Sequence, residues 1–312
     1  MNIALDIMGG DFAPDTTMKG AVLARAELPP DSVLTLIGDE AVIQTKLSEL
    51  GASTKGIQIV HAPDIIGMGD HPTKAIAQKP NSSISVGFRM LKSGKIDAFA
   101  GTGNTGAMMV GGMYTVKAIM GVIRPAIICA LPQISGKFNF ILDVGSNADC
   151  RPDVLYQFGI LGNLYARYVF KIDNPRVALL NIGEEEKKGN LVCQAAYEMM
   201  NGSKEFNFTG NIEGRDLFTD KCDVVVCEGF VGNVVLKQAE AFYTLIRKRK
   251  IKDEFFDRFN YEIYGGMPII GLNSTVVIGH GISNETAIKN MILLAGNIAG
   301  SGFIGKIREV FQ

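Results

Sequence analysis

The stretch A-G-T-G-N-T-G-A-M-M, residues 100–109, decides how this chain is read. An apolar run (96–100) leads into glycines at Gly101, Gly103 and Gly106, and a helical pattern follows. Strand, glycine turn, helix is the unit from which open α/β sheets are built. The spacing G-x-G-x-x-G also raises a dinucleotide site. That reading requires an Asp or Glu at the end of the next strand, about 20 residues on, to bind the ribose hydroxyl. The next apolar run, A-I-I-C-A-L-P-Q (126–133), carries no acid, and the stretch falls in mid-chain instead of at a first βα turn. What remains is a turn whose helix N-terminus, with Asn104 and Thr105, offers N–H groups and a positive dipole to an anion such as phosphate.

The same alternation extends along the chain. Strands are expected at 2–7, 33–37, 57–61, 96–100, 126–131, 138–143, 176–181, 206–209, 224–227 and 275–278. Helices are expected at 16–26, 40–50, 83–92, 105–120, 152–170, 190–200, 232–250 and 284–299. The pattern predicts a three-layer α/β/α fold with a mostly parallel sheet. No repeat, low-complexity tract or Pro/Ser linker marks a boundary, so one domain over 1–312 is expected. Glycine supplies 36 of 312 residues, well above the roughly 7% of average proteins. The excess gathers after strands, at 8–11, 101–106, 143–147, 181–183, 228–233 and 278–281, with Asn or Asp beside it. Loops beyond the carboxyl ends of parallel strands line ligand crevices, so these turns describe a polar site.

Bulk composition excludes several classes. Net charge is −1 from 31 basic and 32 acidic residues, so no global field recruits nucleic acid. The five cysteines lack metal-ligand spacing, and their odd number suits free thiols in a reducing cytoplasm. M-N-I-A-L-D reads as a first strand and not as a signal peptide. The apolar region 106–131 is interrupted by Lys117, Arg124 and Pro125, and reads as a helix followed by a buried strand.

Two further turns carry chemistry. In N-I-G-E-E-E-K-K-G-N (181–190), a lysine held among carboxylates at a strand's end is a fixed positive charge suited to phosphate or a developing oxyanion; a solvated charged loop is the plainer alternative. His280, between glycines at a strand's end, is either a site residue or an ordinary polar one.

Taken together and in order, the motifs resemble the bacterial phosphate acyltransferases of phospholipid synthesis (PlsX family). They are D-I-M-G-G-D (6–11), K-P-N-S-S-I (79–84), G-N-T-G-A-M-M (103–109), I-R-P-A (123–126), L-D-V-G-S-N (142–147), L-L-N-I-G-E-E-E-K-K-G-N (179–190), E-G-F-V-G-N-V-V-L-K (228–237), Y-G-G (264–266) and G-H-G (279–281). The family usually has Ser where Gly101 stands, so the dinucleotide-like spacing is accidental. The resemblance implies a phosphotransacetylase- or isopropylmalate-dehydrogenase-like fold, a homodimer and no metal or cofactor. It implies transfer of a fatty acyl group from acyl-acyl-carrier-protein to inorganic phosphate, the acyl phosphate passing to a membrane glycerol-3-phosphate acyltransferase. The family's catalytic Lys and Asn fall on Lys188 and Asn233. Asp11, Gly103, Asn104, Thr105, Asn147 and His280 are the expected substrate contacts. A dehydrogenase of related fold, needing an Asp cluster for Mg²⁺ and a nicotinamide site, and a non-catalytic scaffold are the alternatives.

One departure from the family is a shortened segment, 238–263, where many members insert a helical hairpin that contacts the membrane. Its basic run Arg247–Lys250 with Lys252 precedes Ile251, Phe255 and Phe259 at spacing four. An amphipathic helix packing on the core or a dimer partner is expected, with the inner membrane face or the acidic carrier protein as the other candidate surfaces.

Overall fold

The computed structural model describes all 312 residues, Met1–Gln312. Eleven strands occur in chain order: β1 (Asn2–Asp6), β2 (Val33–Gly38), β3 (Ile57–His61), β4 (Ala98–Gly101), β5 (Ala126–Pro132), β6 (Phe138–Leu142), β7 (Arg176–Leu180), β8 (Asn207–Ile212), β9 (Val224–Val226), β10 (Met267–Ile270) and β11 (Thr275–Ile278). With twelve α-helices between and after them, they give the three-layer, mostly parallel α/β/α arrangement that the alternation predicts. The chain forms two compact units, Met1–Ala118 with Tyr261–Ile304 and Ile119–Asn260 with Gly305–Gln312. The sequence carries no Pro/Ser linker at these boundaries.

In the first unit the strands run β3-β2-β1-β4-β11-β10. All neighbours are parallel except β10 with β11. Both faces of β1 and β4 are buried, so these strands are apolar without alternation. Phe88, from the helix Ser83–Lys92, meets Phe99 of β4 edge-on with centroids 5.1 Å apart. Helices Asp15–Glu27 and Glu285–Gly300 pack closely where Gly20 faces Ile288; a Cβ there would overlap the Ile288 side chain. β10 escapes sequence detection because it is four residues with a proline, M-P-I-I, and Pro in an apolar run argues against a strand. Here Pro268 stands opposite Val277.

In the second unit the order is β5-β6-β9-β7-β8, antiparallel only between β5 and β6. The helix Pro152–Tyr168 lies close to these strands because Gly162 and Gly159 leave room for Val224, Leu142 and Phe206.

Two expected helices end differently. The helix from Thr105 stops at Gly111 and passes through a π-type turn, Gly112–Val116, before Lys117 takes a positive φ of 69°. Gly111 has to admit the ring of Phe88, which a larger residue would overlap. The helix Gly229–Lys248 is 20 residues long, and Lys250, just beyond it, takes a positive φ of 57°. Ile251 therefore falls outside the expected stripe, while Phe255 and Phe259 join Phe256 and Phe218 in an aromatic cluster. No single helix is long and apolar enough to cross a membrane.

Candidate functional site

Each unit carries a set of strand-end turns that hold one another in place. In the first, the turn after β1 brings Gly9 against Gly103 so tightly that a Cβ on Gly9 would lie 2.7 Å from the Gly103 Cα. Thr102, buried after β4, donates its hydroxyl to the Gly9 carbonyl at 2.8 Å. Asp11 donates its backbone N–H to the Gly281 carbonyl at 2.8 Å. Asp11 and the G-H-G turn are thus neighbours, and His280 stacks edge-on against Tyr261 at 5.1 Å. All three glycines of the opening motif are explained by close packing. Gly101 faces Asp6, Gly103 faces Gly9, and Gly106 faces Pro72, whose ring would overlap any side chain there.

Asn104 has a different task from the one its position suggests. Its Oδ1 accepts from the Ala107 N–H and caps the helix Thr105–Gly111. Its Nδ2 donates to the carbonyls of Gly67, Met68 and Asp70 at 2.9–3.2 Å. The side chain is therefore fully engaged in tying down the 66–71 loop, which Lys79 also grips through Asp70 and Ile65. Thr105, by contrast, is exposed.

Asp6 is fully buried at the end of β1. Its Oδ1 accepts from the Met8 N–H at 3.0 Å, while Oδ2 has no hydrogen-bond partner. Burial raises its pKa above the ordinary carboxylate range, against weaker opposing hydrogen bonds.

The second unit's turns are organised by Asp143, also fully buried. Its carboxylate accepts from the backbone N–H groups of Ile127 (3.0 Å), Ser146 (3.3 Å) and Asn147 (2.6 Å). It also accepts from Ser146 Oγ at 2.7 Å and Asn147 Nδ2 at 3.0 Å. Gly229 and Gly232 pack onto this turn, where a Cβ on Gly232 would overlap the Asp143 carbonyl oxygen. The L-D-V-G-S-N and E-G-F-V-G-N motifs are thus one interlocked structure. Asn233 lies against Gly145 (φ 120°), its Nδ2 3.4 Å from the Val144 carbonyl. Asn147 directs Nδ2 to the Pro125 carbonyl (2.9 Å) and to Asp143, so its side chain too is engaged, and its backbone is what it can present to a ligand.

Lys188 lies in the turn after β7, half exposed, with Nζ 3.6 Å from Glu185 Oε1. Its carbonyl accepts from Asn181 Nδ2 at 3.1 Å, and Asn211 steadies the same turn through the Glu185 carbonyl at 2.9 Å. The ammonium is loosely paired on a well-fixed turn, a charge available to an anion. Between this turn and the start of the helix Gly229–Lys248 opens a cavity of about 880 Å³. Glu228 caps that helix, accepting the Phe230 and Val231 N–H groups on Oε2, so a carboxylate already occupies the place an anion would take. No cluster of three or more His, Cys, Asp or Glu residues suited to a metal is present.

The sequence singled out Lys188, Asn233 and the strand-end Asn181, but not Asp143, Asn211 or Glu228, which hold the same turns and helix start in place. A buried acid directly after an apolar strand, as in I-L-D and A-L-D, was the available signal.

Comparison with known proteins places the fold first. A phosphotransacetylase from Streptococcus pyogenes superposes with a TM-score of 0.68 at 15% identity, over 96% of this chain and 94% of that one. The architecture is therefore that of the phosphotransacetylases. At the level of sequence, the family described as fatty acid synthesis protein matches residues 1–306. A phosphate acyltransferase from Desulforamulus reducens is 42% identical across 100% of this chain and 98% of its own length. One from Dictyoglomus turgidum is 39% identical across 95% and 93%. The chain belongs to the phosphate acyltransferase (PlsX) family.

Proposed function

We propose that this protein transfers a fatty acyl group from an acyl-acyl-carrier-protein thioester to inorganic phosphate, giving acyl phosphate for phospholipid synthesis. The observation that carries the reading is the pair of intact turns in the second unit: Lys188 with an ammonium held only loosely, at 3.6 Å, by Glu185, and Asn233 set against the glycine turn at Gly145.

The chemistry asks little of acid–base groups. Phosphate dianion is already a nucleophile near pH 7, and a thiol with pKa about 8.5 leaves as thiolate. A phosphate oxygen attacks the thioester carbonyl carbon and the carbonyl becomes an oxyanion. On collapse the C–S bond breaks, its electron pair goes to sulfur, and the thiolate takes a proton from water. Lys188 supplies positive charge to phosphate and oxyanion, and Asn233 an amide donor that orients them. In the second unit the backbone of Asn147 is a further substrate contact; in the first, Asp11, Thr105 and His280, with the backbone of Gly103 and Asn104, are strand-end groups suited to substrate. Cytoplasmic location as a homodimer belongs to the same proposal, with Phe242 and Leu245, each 55% exposed on the helix Gly229–Lys248, as apolar surface for the partner. The exposed basic run at 247–252 suits an acidic carrier protein.

The test is incubation with a long-chain acyl-carrier-protein and phosphate, with hydroxylamine trapping the product. Acyl hydroxamate that depends on phosphate supports the reading; thioester loss at the same rate without phosphate sinks it.

A further inference from the structure

None of the catalytic or substrate-contact residues named above lines the cavity in the second unit. Leu155, Leu179 and Cys227 give it an apolar, buried wall, and Val192 and Cys193 add half-buried apolar lining. At its rim Ile182 and Phe230 are 81% and 66% exposed, unusual for large apolar side chains converging on one opening. Its volume falls within the roughly 300–1,000 Å³ of small-molecule sites.

The lining chemistry selects among ligands. No Lys or Arg lines it, whereas Asp149 and Glu228 do, so phosphate is repelled. Several polar groups on the wall already bond to the protein. Asn181 bonds to Lys188, Ile182 and Asn211, Asn190 Oδ1 accepts from Cys193 N–H, and Glu228 caps its helix. A ligand rich in amides would find few partners, and an apolar chain needs none. Burial holds all three thiols of the lining protonated, Cys150 pushed up to about 12, Cys193 raised and Cys227 raised well above the ordinary thiol value, so they act as apolar surface instead of nucleophiles.

Position supplies the rest. Asn181, on the wall, holds the Lys188 carbonyl, and Phe230 at the rim precedes Asn233 by three residues on one helix, which makes them surface neighbours. We propose that this cavity houses the fatty acyl chain of the substrate, and that Cys193, Val192 and Leu179 set the chain length accepted. The proposal rests on the acyl-transfer reading and adds where the chain goes.

Two variants test it. Cys193→Trp fills the cavity from its side. Turnover with hexadecanoyl-carrier-protein should fall by about tenfold or more relative to butanoyl-carrier-protein, the scale on which apolar pockets discriminate chain length. Equal loss on both donors, or no loss on either, overturns the proposal. The natural chain has no tryptophan, so Phe230→Trp at the exposed rim gives a single emitter in a protein whose folding does not depend on that site. Hexadecanoyl phosphonate should shift its emission to the blue, and butanoyl phosphonate or inorganic phosphate should not. No shift, or the same shift with all three, overturns the proposal even if Cys193→Trp does not fold. Absence of acyl phosphate from the unsubstituted protein with either donor would instead overturn the acyl-transfer reading itself.

Discussion

Replacing Asn104 separates two tasks that one side chain performs. Asn104→Ala removes the helix cap to Ala107 and the three contacts to the 66–71 loop. The cap is worth about 1 kcal/mol. The two amide hydrogens, shared among three carbonyls, add about 1–2 kcal/mol at ordinary net hydrogen-bond values, because the loop carbonyls regain water once released. A loss of about 2–3 kcal/mol is expected. Asn104→Asp keeps the cap acceptor, and its charge suits a helix N-terminus, but it turns an oxygen towards three carbonyl oxygens. The helix should hold while the loop comes free. Hydrogen exchange reads this at two loop amides, Gly67 N–H, bonded to Asp70 Oδ2, and Asp70 N–H, bonded to the Gly67 carbonyl. Loss of about 1–2 kcal/mol of local stability means exchange about 5–30 times faster there, with the helix Thr105–Gly111 unchanged. If Asn104→Asp leaves the loop as protected as before while activity collapses, the amide serves the substrate and the structural reading of Asn104 is wrong.

The other expectations follow from the same geometry. Asp143→Ala strands donors of Ile127, Ser146 and Asn147 and should cost about 3–5 kcal/mol in chemical denaturation; a loss below about 1 kcal/mol would contradict the organising role given to that carboxylate. Asp6 has its folded pKa raised by burial, so whatever stability it contributes is present below its unfolded value and declines as pH rises through the folded one. The stability of Asp6→Asn relative to the natural protein should therefore improve from acid to neutral pH, and the opposite trend would show the charge to be favoured. Reversing Arg247 and Lys248 to Glu should raise KM for acyl-carrier-protein with less effect on kcat, and should flatten the salt dependence of kcat/KM. Unchanged KM would leave the basic run without that task.

How much of this was legible beforehand depended on whether a feature is local. The strand–turn–helix rhythm, the bounds of β3 and the helix Ser83–Lys92 follow from periodicity, which side chains alone set. M-P-I-I was invisible as a strand because its pairing with β11 is non-local. The helix from Thr105 was extended nine residues too far, since nothing in the apolar pattern reports that Phe88 presses on Gly111. Asn104 and Asn147 were recognisable as polar residues in strand-end turns. That their amides face backbone carbonyls of Gly67, Met68, Asp70 and Pro125 was not, because carbonyl positions leave no trace in residue identity. The cavity beside Lys188 likewise needed the folded chain, for its wall is assembled from segments 148–155, 179–193 and 227–231.

The most direct test of the account is incorporation of radiolabelled inorganic phosphate into organic-extractable acyl phosphate by the natural protein, Lys188→Ala and Asn233→Ala, with long-chain acyl-carrier-protein as donor. Lys188 lies in an exposed turn and Asn233, half-buried, in the first turn of the helix Gly229–Lys248, both outside the buried core, so the variants should fold. The natural protein should form labelled acyl phosphate, and each variant should lose about 10²–10³ in rate, the scale of a missing oxyanion donor. Label incorporation at the natural rate in either folded variant would contradict the account.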